Sequence, residues 1–120
     1  MLASIQRILE VKPVENADSL DKVYVLGWQV VVKRGEFKPN DLCVYIGIDT
    51  IVPARPEFAF LAKEKFRIRT KKFRGALSQG LCLPLTVLKN YGQFLNENGD
   101  LFFIPNQDIE KLVVQHIEKP

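Results

Sequence analysis

Apolar and polar residues alternate with a period of two through most of this chain, and a helical spacing takes over only near its C-terminus. Lys22-Val23-Tyr24-Val25-Leu26 and Trp28-Gln29-Val30-Val31-Val32-Lys33 are rich in β-branched and aromatic residues, which predicts two strands separated by a bulge or tight bend at Gly27. Before them, Ile5, Ile8, Val11 and Val14 stand among polar residues in an extended segment that Pro13 ends or confines to an edge. The run Leu42-Cys43-Val44-Tyr45-Ile46-Gly47-Ile48 is nearly all apolar, the pattern of a central strand covered on both faces. Leu81-Cys82-Leu83-Pro84-Leu85 predicts a last core strand. Turn chemistry separates these runs: Glu15 to Ser19, where Asp18 or Ser19 caps a short helical turn, then Arg34-Gly35, then Pro39-Asn40-Asp41.

Between the central and last strands, Pro56 heads a predicted short helix that packs Phe58, Phe60 and Leu61 as a plug. In Phe66-Arg67-Ile68-Arg69-Thr70-Lys71 apolar and basic residues alternate, which predicts a strand with Arg67, Arg69 and Lys71 on one face and a bulge at Lys72. A short helix is expected from Thr86 to Gly92, a polar loop from Asn96 to Asp100, and a helix capped by Asp108 over Gln107 to Val114. Trp28 and Tyr24 are expected in the core. Short strands, corner glycines and little helix predict an all-β fold, a five-stranded OB-fold barrel with short helical elements; an SH3-like barrel fits the same pattern.

Composition narrows the setting. With 120 residues, one domain is expected, and 47% hydrophobic with 26% charged residues excludes a disordered chain. No apolar run reaches the roughly 20 residues of a bilayer-spanning helix, and the N-terminus lacks a secretory pattern, so an intracellular, monomeric domain away from membranes is expected. Cys43 and Cys82 each sit inside an apolar run and are expected as buried free thiols. The net charge is only +3, yet seven bases and one acid lie between Lys63 and Arg74. That segment alone exceeds the net charge of the whole chain. Such a stripe is the footprint of phosphate contact, or else a solvated edge strand protected by its charges.

Catalytic signatures are missing from the sequence. Lys-x-Asp-Gly, the mark of a nucleotidyl-transfer nucleophile, does not occur; no Gly-rich phosphate loop or metal-ligand spacing stands out, and the single histidine, His116, has no assignable partner. Binding chemistry is therefore the expectation. Arg67, Arg69 and Lys71 lead the candidate nucleic-acid contacts, extended by Lys72, Arg74, Lys33 and Arg34. Phe73 either stacks on a base or packs inward, and Gln79 either bonds a phosphate or ribose hydroxyl or satisfies its turn.

Three stretches carry a family resemblance: Leu2 to Ile8, Gly27 to Phe37 and Phe66 to Leu81, with Asp41 to Ile46 and Ile48-Asp49 between them. In order and spacing they resemble the N-terminal domain of nick-sealing ATP-dependent RNA ligases, the fifth RNA ligase family. The resemblance implies an OB-fold core over residues 2–85 and an extension over 86–120 leading toward a nucleotidyltransferase domain that this chain does not include. It implies a module that, in cis with that domain, engages a nicked duplex with an RNA 3′-hydroxyl end. It further implies ATP and a divalent metal for the parent ligase and no cofactor, and no catalysis, in this domain. Pro13 to Leu20 also resembles OB-type tRNA-binding domains of aminoacyl-tRNA synthetases, which leaves a tRNA- or single-strand-binding module open, as does a protein-docking role for the basic face.

Overall fold

The computed structural model describes residues 3–91 and residue 109. Ile5 and Ile8 are both fully buried although three positions apart, which one face of one strand does not allow. The chain resolves this by changing sheets. Strand β1 (Ala3–Arg7) pairs antiparallel with β5 (Leu42–Ile46), whereas β2 (Glu10–Pro13) pairs with β3 (Leu20–Val25). At the switch, the Ile8 amide donates to the Asp41 carbonyl and the next amide, Leu9, to the Tyr24 carbonyl. A capped helical turn was expected at Asp18 or Ser19; the loop instead forms two successive turns, its ends held by the bond from the Val14 amide to the Leu20 carbonyl.

β3 continues into β4 (Trp28–Lys33) through Leu26 and Gly27, both at positive φ, in the two-residue turn that matches strand twist. Val23, Val25, Val30 and Val32 point inward from this hairpin and meet Cys43, Tyr45 and Cys82 in one core. On the other face of β5, Val44 and Ile46 join Ala3, Ile5, Phe58, Ile68 and Ile109 in a second core. The near-continuous apolar run of β5 thus has a physical reason: each face meets a different core. The free thiols of Cys43 and Cys82 are buried as expected.

Pro56–Glu64 is a 3₁₀ helix with proline in its first turn, ended by Lys65 in the left-handed region. It presses Phe58 and Leu61 into the second core but leaves Phe60 60% exposed, so the expected three-residue plug loses one member. The following segment also departs from expectation. Lys65 and Phe66 both have positive φ, and Arg67 forms only an isolated bridge with Ile51, so residues 66–71 are not a regular strand with one basic face. Regular pairing starts at Lys71, where β6 (Lys71–Phe73) and β7 (Ala76–Ser78) form a hairpin rather than a bulge.

β8 (Leu81–Leu83) pairs with β5, and a second 3₁₀ helix covers Leu85–Tyr91. The all-β class holds, but the expected five-stranded barrel is not a continuous ladder: the described strands form three sheets, β1-β5-β8, β2-β3-β4 and β6-β7. Single hydrogen bonds connect the edge of β4 to β7. The Gln29 side-chain amide donates to the Leu77 carbonyl, the Val31 amide to the Ser78 hydroxyl, and the Gln79 amide to the Gln29 carbonyl. The expected loop at 96–100 and all but Ile109 of the expected helix at 107–114 lie outside the described residues; the Ile109 amide donates to the Ala3 carbonyl.

Candidate nucleic-acid interface

The β6–β7 hairpin turns on Arg74 and Gly75, both at positive φ, and is anchored against β4 through Gln29 and Ser78. Its two flanks open onto different surfaces. On one side, Phe73 and Phe60 stand over Val31 of β4 and Leu81 of β8, lining two adjoining cavities of about 260 and 500 Å³. Phe73 is 41% exposed, so both rings offer a face to solvent. Arg69 and Lys71 edge the smaller cavity, and Lys33 with Glu36 the larger. An apolar floor, two exposed phenyl rings and a cationic rim suit a base with its attached phosphate.

On the other flank, Arg74 and Gly75 face Lys12, Lys22, Glu15 and Asn16 across an open cavity of about 520 Å³. The structure therefore divides the basic segment instead of displaying it as one stripe. Arg69, Lys72, Arg74 and Lys33 have no ion-pair partner among the described residues, whereas Arg67 lies 3.9 Å from Asp49 and Lys71 is bound to Glu64. The Lys71 ammonium holds the Glu64 carboxyl below its ordinary value. Arg34 is turned to the protein itself: its Nε lies 2.7 Å from buried Asp21, and its terminal amine donates to the Leu20 and Ala17 carbonyls. Gln79 contributes backbone to the seam, and its carbonyl accepts the Tyr45 hydroxyl.

Sequence reasoning missed Phe60, Lys12, Lys22 and Gln29. Phe60 read as one of a packed aromatic pair, and Lys12 and Lys22 become neighbours only through the β2–β3 register. Trp28, expected in the core, is 39% exposed at the hairpin end, while Tyr24 is half-buried. The buried Cys82 thiol does not suit nucleophilic chemistry, since hydrogen bonding to Cys43 and burial push it well above its ordinary value. Among the described residues no three His, Cys, Asp or Glu side chains gather to hold a metal ion, and no helix is long and apolar enough to cross a membrane.

This is an all-β architecture of short strands in open sheets with two 3₁₀ helices, and a family model described as an OB-fold domain matches residues 2–85. The chain belongs to that OB-fold family. Among solved structures, a Naegleria gruberi RNA ligase mutant with AMP and manganese is 27% identical with a TM-score of 0.77, and 99% of this chain aligns to 36% of that one. A second mutant of that ligase, with ATP and manganese, is 30% identical over 100% of this chain and 36% of its own, TM-score 0.75. The same ligase with pyrophosphate gives 27% identity, a TM-score of 0.74 and coverage of 99% and 36%. The resemblance to RNA ligases read from the sequence is borne out, and this chain spans about a third of the length of the ligase chains it matches. No curated protein matches.

Proposed function

We propose that this domain is the nucleic-acid-binding module of an ATP-dependent RNA ligase, acting in cis with a nucleotidyltransferase domain to engage nicked duplexes that present an RNA 3′-hydroxyl end. The observation that carries this reading is the juxtaposition, at the β6–β7 hairpin, of exposed Phe60 and Phe73 with Arg69 and Lys33, cations without an ion-pair partner among the described residues. The hydrogen bonds from β4 to β7 set the hairpin beside the β2-β3-β4 sheet, and OB folds commonly bind oligonucleotides on an exposed strand face and its loops. In this reading the ATP and divalent metal of the parent reaction are held by the nucleotidyltransferase domain.

The exposed rings favour one competing reading, a module for unpaired RNA, since a stacking platform needs a base out of its duplex. Titrating the chain against nicked duplex, intact duplex and single strand at several salt concentrations separates the two. Tighter binding to the nicked duplex, weakened by Phe60→Ala and by Arg69→Ala, supports the ligase module. Preference for the single strand replaces it with the second reading, and equal, indifferent binding by all variants leaves the basic face to protein docking.

A further inference from the structure

Lys12 of β2 and Lys22 of β3 are directly opposed across the antiparallel pair. Like charges in that position destabilise a sheet, so their side-by-side placement calls for a compensating anion. Compensation from within the protein is partial. Lys12 lies 3.3 Å from Glu10, both well exposed, and 5.9 Å from the centre of the Tyr24 ring, while Lys22 has no ion-pair partner among the described residues. The tip of the β6–β7 hairpin adds a third cation, Arg74, across the same cavity, against one lining carboxylate, Glu15. The cavity, about 520 Å³ and open to solvent, easily admits a phosphate with its sugar links.

The geometry points to a phosphate-binding notch formed by Lys12, Lys22 and Arg74, which takes a backbone phosphate of the nucleic acid whose base lies toward the aromatic groove. This deepens, and rests on, the proposed binding function. The lysine row continues on the outer face of the sheet: Lys22 is opposed to Val31 of β4, the residue that floors the groove on the hairpin's other flank. Phe73 and Arg74 are consecutive in the hairpin, so the chain that offers a ring to one flank offers a guanidinium to the other. A strand crossing the hairpin tip meets both.

The test uses the full 120-residue chain. Amide resonances are followed while inorganic phosphate, and separately an abasic sugar–phosphate oligonucleotide, is added to wild type and to the Lys22→Gln/Arg74→Asn double variant. Asparagine keeps the left-handed turn, so the variant retains its fold, and unchanged resonances away from the notch check this. Both probes are expected to shift the Asn16 and Gly75 amides in wild type and not in the variant. In parallel, the salt dependence of duplex binding is expected to fall by roughly 1.8 in log–log slope, about 0.9 for each lost contact. An unchanged slope with no shift at these amides overturns the notch while binding itself survives. Shifts by inorganic phosphate but not by the abasic strand also overturn it, since the notch then takes only a free anion. Loss of all duplex and RNA binding with the abasic-strand shifts intact would sink the proposed function and leave the notch standing.

Discussion

The Tyr45 hydroxyl donates to the Gln79 carbonyl at 2.9 Å, and the ring lies against the space where Gly80 has no side chain. A Cβ built on Gly80 would stand 2.7 Å from Tyr45 Cε1 and 2.9 Å from the Ile46 carbonyl, on a residue whose φ is +122°. This contact joins the central strand to the start of β8 and holds the backbone from which the hairpin springs. Gly80→Ala is expected to destabilise the domain by about 2–4 kcal/mol, combining overpacking with backbone strain, as read by urea unfolding. Tyr45→Phe is expected to cost only about 1–2 kcal/mol, the consequence of leaving one carbonyl without its donor. Equal losses for the two variants would show that close approach is not what Gly80 provides.

Leu26 occupies the first central position of the β3–β4 turn with φ 51° and is 52% exposed, so its side chain returns little for the strained backbone it imposes. Asparagine suits that conformation and completes the Asn-Gly pair that this turn favours. Leu26→Asn is expected to raise stability by about 0.5–1 kcal/mol, since the left-handed conformation costs a β-carbon residue roughly 1–2 kcal/mol. Thermal unfolding measures it. A loss of stability would instead assign Leu26 a packing role with exposed Trp28 at the same hairpin end.

What could be read from the sequence follows what is local. Alternation found β3 and β4, the apolar run found β5, and Gly27, Gly35 and Asn40 marked turns because positive φ leaves a compositional trace. Alternation failed before Lys71 because it records which side is apolar and not how the backbone bends; Lys65 and Phe66 take positive φ after the 3₁₀ helix, and Phe66 and Ile68 bond only irregularly to Val52, Thr50 and Asp49. The site was legible only as a list of charges. Which cations are spent on Asp21, Asp49 and Glu64, and which lysines face each other, depends on residues distant in sequence that the register brings together.

Arg34 illustrates the difference. Asp21 is buried, receives Arg34 Nε at 2.7 Å and the Gly35 amide at 3.0 Å, and is directly opposed to Val32 in the β3–β4 ladder. Removing the arginine leaves a buried carboxylate without its counter-charge. Arg34→Ala is expected to lose about 2–4 kcal/mol, more than the at most ~1 kcal/mol of a surface pair because Asp21 is buried, and less than the full cost of breaking a buried pair because the guanidinium is half-exposed. Lys33→Ala, one position earlier, is expected to leave stability within about 0.5 kcal/mol of wild type and to weaken nucleic-acid binding. Denaturant melts alongside binding curves make the comparison. Should Arg34→Ala fold as stably as wild type yet bind poorly, Arg34 would belong to the interface after all.

Glu64 sits at the end of the 3₁₀ helix and binds the Lys71 ammonium, so the first residue of the hairpin enters the groove with its charge already answered. A phosphate that recruits Lys71 has to displace this carboxylate. Glu64→Gln removes the competitor while keeping shape, and duplex affinity is expected to rise about two- to threefold at low salt, with the salt slope steeper by about 0.9. The same pair has a pH signature. Because the folded carboxyl titrates below its ordinary 4.5, the pair's stabilisation is present in full above that value and disappears as pH falls through the lower folded one. Wild type therefore loses stability on acidification in that window by an increment that Glu64→Gln lacks, seen as a smaller drop in Tm for the variant between neutral pH and the acid limb. Unchanged or weaker duplex binding by Glu64→Gln would remove Lys71 from the interface and leave the cationic rim to Arg69 and Lys33.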